Sequence, residues 1–158
     1  MVEACRGMCG EDEKMRRVKV RRRHDWIEEK YEPAQSRVDG RYVRNTVPNT
    51  SSIAASLRRY RILDGIRVVP FTAFTRMGPL RFYSPSEQRR TERLAEQIAT
   101  LGEINPLIVV EDSKGPYVLE GSHRFDALRL LRAKSFPALV VLDLDSGSGR
   151  SRPRLKEA

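Results

Sequence analysis

At 158 residues the chain is long enough for one domain with a real core and flanking segments. Its formal charge of +9 is uneven: residues 1–70 carry 16 Lys and Arg against 10 Asp and Glu, whereas residues 71–143 carry 10 against 9. A nearly neutral second half argues against a nucleic-acid face on the core, and leaves weak, salt-sensitive nucleic-acid contact to the basic N-terminal arm. No run of about eighteen apolar residues is present, so no membrane span or membrane partner is expected. The first residues also lack the apolar centre of a secretory signal, which makes a soluble cytoplasmic protein the expectation. Cys5 and Cys9 have only His24 and His123 to complete a ligand set, so two reduced thiols are expected rather than a metal site.

In chain order, residues 1–50 read as a basic, flexible arm. Within it, Arg16 to Arg23 could be a strand, a nucleic-acid arm or a solvated basic run. No aromatic is interleaved to stack bases, which favours the last. Asp25 to Tyr31 could form a helical turn or two before Pro33, and Asn45 to Ser52 is a linker by composition. Residues 51–65 form a connecting segment, with a short helix predicted from Ser52 to Arg61 and Ile53, Leu57 and Tyr60 on one side.

Residues 66–145 carry the sharper pattern. Ile66 to Phe71 reads as a strand stopped by proline, and Thr75 to Leu80 as a loop. Ser84, Pro85 and Glu87 spell a helix start, as N-cap, first position and third position. Leu94, Ile98 and Leu101 follow at helical spacing, and Gly102 suits a left-handed cap. Pro106 to Val110 and Tyr117 to Leu119 read as strands around a turn at Asp112 to Pro116. A helix is predicted from Ser122 to Arg132, facing inward through Phe125, Leu128 and Leu131. Phe136 to Leu142 reads as the last strand, and residues 146–158 as a flexible tail. The fold class is α/β (α+β): a short mixed sheet flanked by helices.

The Gly121-Ser122-His123-Arg124-Phe125-Asp126-Ala127-Leu128 stretch is the most informative. A glycine turn that opens a helix presents free N–H groups and the positive end of the helix dipole, to which histidine and arginine add donors. Such a place suits an anion, and phosphate above all.

At this point the residues resemble a known family. Ile66-Arg67-Val68-Val69-Pro70, Leu94-Ala95-Glu96-Gln97-Ile98 followed by Gly102 to Leu107, the Gly121-Ser122-His123-Arg124 box, and Phe136-Pro137-Ala138-Leu139-Val140 occur in the order seen in the N-terminal domain of ParB, in sulfiredoxin and in ADP-dependent serine kinases. The likeness spans about half the chain. It implies that Gly121, Ser122, His123 and Arg124 cradle the phosphates of ATP, ADP or CTP, with Mg²⁺ bridging them. It also implies that Arg90 stands where sulfiredoxin has a lysine, that Arg93 and Gln97 share its side of the helix, and that Asn105 contacts base or ribose.

Departures narrow the activity. Ser122 replaces the catalytic cysteine of sulfiredoxin, and a serine without an adjacent base is a poor nucleophile, so sulfinic acid reduction is not expected. The sequence reaches Ala158 without the helix-turn-helix and dimerisation parts of a partition protein, so a complete one is not expected either. His123 and Glu120 are the acid–base candidates, each with a plain alternative as a helix-start residue and a polar strand end. The leading expectation is a nucleotide-binding domain that hydrolyses nucleotide or transfers a phosphoryl group. The alternatives are a non-catalytic nucleotide switch or DNA-associated accessory protein, and a domain kept for contacts with a protein partner of unknown kind.

Overall fold

The computed structural model describes residues 30–44, 49–75 and 77–145. A compact unit begins at Pro33. The fold is mixed α+β, with a three-stranded sheet, a five-stranded sheet and helices among the described residues.

Strands β1 (Arg37–Val38) and β2 (Arg41–Val43) form a tight antiparallel hairpin. Its two-residue turn needs positive φ at both positions, and Asp39 (50°) with Gly40 (78°) supplies the pair that does this most readily. Asp39 also accepts the Lys134 backbone N–H at 3.1 Å. Strand β2 runs parallel to β5 (Glu103–Ile104). Residues 33–44 therefore belong to the folded unit, a correction to the expected arm of residues 1–50. The missed signal was Asp-Gly between Val38 and Arg41. The Arg16 to Arg23 run, Cys5, Cys9, His24 and the tail from residue 146 lie outside the described residues.

Helix α1 (Ser51–Ser56) is short, and Ile53 and Leu57 are buried against Ile108, Val110 and Val141 on one face of the larger sheet. The predicted helix to Arg61 stops early. Tyr60 instead opens β3 (Tyr60–Ile62), which pairs antiparallel with β8 (Ser135–Asp143). Hydrogen bonding to a free strand edge outweighed the weak helical spacing of Tyr60 with Leu57. Strand β4 (Arg67–Pro70) lies antiparallel to the other end of β8 and leads into a 3₁₀ turn at Phe71–Ala73.

Helix α2 (Pro85–Leu101) begins and ends as its sequence predicts. The Ser84 hydroxyl accepts the Glu87 N–H at 3.2 Å, and Gly102 closes the helix in the left-handed region. Thr91, Ala95 and Ile98 are buried, but Leu101 is 66% exposed, against expectation. Three residues beyond Ile98 the helix has turned about 60° off the buried stripe.

Strands β6 (Leu107–Asp112) and β7 (Gly115–Glu120) form a hairpin, and β6 runs parallel to β8. The order is β3-β8-β6-β7, with β4 also on β8, so the nearly all-apolar β8 is the centre of the sheet. Helix α3 (Ser122–Leu130) is anchored by Phe125, whose ring lies 5.0–5.7 Å from those of Phe71, Phe74 and Phe136. It ends two residues before the predicted Arg132, which takes a left-handed φ of 55°. Phe125, Ala127 and Leu128 are its buried residues, while Leu131 is only half-buried. Among the described residues no helix is long and apolar enough to cross a membrane.

Candidate functional site

Strand β7 hands over to α3 through a single residue, Gly121, at φ +96°. A Cβ there would sit 2.8 Å from Leu107 Cγ and 3.2 Å from an Arg124 guanidinium nitrogen, so side-chain-free backbone is what lets α3 start this close to the sheet. No side chain caps α3. Its first-turn N–H groups, at Ser122, His123 and Arg124, have no carbonyl within the helix to bond, and they face the same way as the positive end of the dipole. Helix α2 differs: Ser84 caps it, and Glu87 adds an acidic side chain to its first turn. Of the two longer helices among the described residues, α3 is the one whose start carries neither a side-chain cap nor an acidic residue in its first turn.

Arg124 does not project freely from that start. One terminal nitrogen donates to the backbone carbonyls of Asn105 and Pro106, at 2.8 and 2.9 Å. The guanidinium thus pins the connection between β5 and β6 against α3. Burial lowers its pKa from the ordinary arginine value, and the nearby Glu120 carboxylate opposes that shift. Arginine remains a cation under such perturbation, so the site keeps its fixed positive charge.

Glu120, at the end of β7, accepts a hydrogen bond from the Ser52 hydroxyl at 3.0 Å and so ties α1 to the site. His123 Nε2 lies 3.6 Å from Glu87 Oε1, and the other Glu87 oxygen accepts the Tyr83 backbone N–H at 3.3 Å. That chain of contacts brings the starts of α2 and α3 together. The two acid–base candidates, Glu120 and His123, therefore have different partners, and no contact between them is found among the described residues.

Among the described residues no hydrogen bond or ion pair joins the α2 candidates to the first turn of α3. Arg90, Arg93 and Gln97 are exposed. Arg93 Nε donates weakly to the Arg89 carbonyl at 3.4 Å, and its side chain lines a shallow groove with Arg89, Glu92 and Glu96 on the outer face of the helix. Two cations and two carboxylates leave that groove neutral. Asn105 is exposed and joins the site through its backbone carbonyl, on Arg124. The Ser122 residue is half-buried at the first helical position.

Sequence reasoning missed three participants. Glu87 read only as a capping residue, Ser52 as the end of a linker and the start of a short helix, and Tyr83 not at all. Their roles depend on which elements meet in space, which local spacing does not carry. Among the described residues no group of three or more His, Cys, Asp or Glu could hold a metal ion. Glu120 and Glu87, the carboxylates nearest the start of α3, are already engaged with Ser52, Tyr83 and His123, so this donor set does not suit a protein-held Mg²⁺. No family model matches this chain, and no curated protein matches it at a significant level.

Proposed function

We propose that this protein binds nucleotides, holding their phosphate groups at the first turn of α3. The observation that carries the reading is the uncapped helix start at Gly121, beside a half-buried arginine whose charge does not titrate in the physiological range. Backbone N–H groups of Ser122, His123 and Arg124 would receive phosphate oxygens, His123 would add a side-chain donor, and Arg124 would act through its field more than through direct contact. The likeness of the Gly121 to Arg124 box to the ParB, sulfiredoxin and serine kinase box supports ATP, ADP or CTP as ligand. A relationship to that superfamily is part of this reading, as is a cytoplasmic location, where such nucleotides are abundant.

Binding without turnover is favoured over hydrolysis or phosphoryl transfer. Glu120 is engaged by Ser52 and His123 lies against Glu87, so neither is poised with the other as an acid–base pair. A nucleotide-dependent switch, with the basic N-terminal run from Arg16 to Arg23 touching nucleic acid, is the form this function would take.

Thermal unfolding in the presence of ATP, ADP, CTP and GTP tests the proposal. A ligand at one hundred times its Kd adds about 2.7 kcal/mol to stability, so at least one nucleotide is expected to raise Tm by several degrees. A panel in which none of them moves Tm at millimolar concentration would remove the reading.

A further inference from the structure

Strand β3 is an outer strand of the larger sheet, and Arg58, Arg59, Tyr60, Arg61 and Ile62 are exposed in unbroken succession. The Leu63 N–H donates to the Val140 carbonyl and the Leu144 N–H to the Arg59 carbonyl, so the odd-numbered residues are the ones bonded to β8. The backbone N–H and C=O groups of Tyr60 and Ile62 therefore point away from the sheet, and none has a partner among the described residues. The other outer strands differ. Strand β7 carries Pro116, and β4 is covered at Arg67 by Pro33, with the Ala34 N–H on the Ile66 carbonyl at 2.8 Å. A bare edge is a template for another strand. At this one the Tyr60 and Ile62 side chains share one face, and both are exposed.

We propose that this edge binds an extended acidic segment of a partner protein, which joins the sheet as a strand beside β3. The chemistry of the edge selects that occupant over two others. Donors and acceptors alternate along it, so a polypeptide backbone satisfies both. Nucleic-acid phosphates accept hydrogen bonds and would leave the Tyr60 and Ile62 carbonyls unmet. A second copy paired antiparallel over the same three residues sets Arg61 directly opposite Arg61, an unfavourable like-charge pair. Acidic side chains remove that conflict. Asp145 lies 3.8 Å from Arg59 and offsets part of its charge, so Arg58 and Arg61 set the preference. Side chains alternate across a strand, and the segment this edge fits alternates likewise: apolar residues beside Tyr60 and Ile62, a carboxylate beside Arg61. The interaction is separate from the proposed phosphate site and does not depend on it.

Fluorescence anisotropy of a labelled heptapeptide that alternates glutamate with valine tests the proposal on the full chain. The wild-type protein is expected to bind it saturably, and more weakly as salt rises. The same peptide with lysine for glutamate is expected to bind about tenfold more weakly or worse. In the double variant Arg58→Glu, Arg61→Glu the preference between the two peptides should reverse. A glutamate peptide methylated on its valine nitrogens loses the donors aimed at the Tyr60 and Ile62 carbonyls, and its affinity should also fall about tenfold or more. That comparison leaves the protein unaltered, so it decides the matter even if the double variant does not fold. Wild-type protein that leaves the glutamate peptide free at millimolar concentration, or binds the methylated one equally well, would overturn the proposal. So would a single-stranded oligonucleotide held at this edge in place of the peptide, or a dimeric protein that binds no peptide, which would assign the edge to a second copy.

Discussion

Arg124→Ala is expected to destabilise the folded unit by about 3 kcal/mol, although the likeness in sequence marks the residue only as a phosphate-binding arginine. Hydrogen bonds from a charged donor contribute roughly 1.5–3 kcal/mol each, and Arg124 makes two, to the carbonyls of Asn105 and Pro106. Alanine leaves the Pro106 oxygen buried without its donor and frees the β5–β6 connection from α3. For a unit of this size the loss corresponds to a fall in Tm of roughly 10 °C or more. Arg124→Lys keeps the charge but not the planar fork, so it should recover only part of the loss. Urea unfolding monitored by circular dichroism measures both. An alanine variant as stable as wild type would show that these carbonyls do not need the guanidinium. Loss of nucleotide binding in Arg124→Ala is, for the same reason, a poor test of phosphate contact.

Gly121→Ala should cost a similar amount, about 3 kcal/mol, for a different reason. Left-handed backbone costs a residue with a Cβ about 1–2 kcal/mol, and the glycine sits at φ +96°. The new methyl would also lie 2.8 Å from Leu107 Cγ. Leu107 is fully buried and cannot swing aside, and overpacking of this kind adds about 1–3 kcal/mol. Relief by a shift of α3 would move its first turn, so nucleotide affinity should fall together with stability. Gly78→Ala is the control: no atom lies within 4 Å of a Cβ there and φ is ordinary, so the change should stay within about 0.5 kcal/mol. Equal behaviour of the two variants would contradict the close approach at Gly121.

Helix α2 was legible at both ends because its signals are local: Ser84, Pro85 and Glu87 start it, and Gly102 stops it. Strands β6 and β8 were legible as apolar runs, but their parallel pairing was not, since pairing is decided between distant segments. Tyr60 shows the limit of spacing. Its distance from Leu57 fits a helix, yet the open edge of β8 offered it a strand partner. The hairpin at Asp39-Gly40 was local enough to be read, and the charge of its surroundings hid it. At the site, the glycine turn into α3 was visible in sequence. The return of Arg124 onto the backbone ahead of β6 was not, nor was the bridge from Tyr83 through Glu87 to His123, because each depends on which loop packs beside which helix.

Amide chemical shifts of nitrogen-labelled protein, followed during titration with ATP, test the proposed phosphate site most directly. Saturable shifts should be largest at the amides of Ser122, His123 and Arg124, at the uncapped start of α3. Unmoved amides at those three positions, or shifts confined to the outer groove of α2 at Arg89, Glu92, Arg93 and Glu96, would contradict the account.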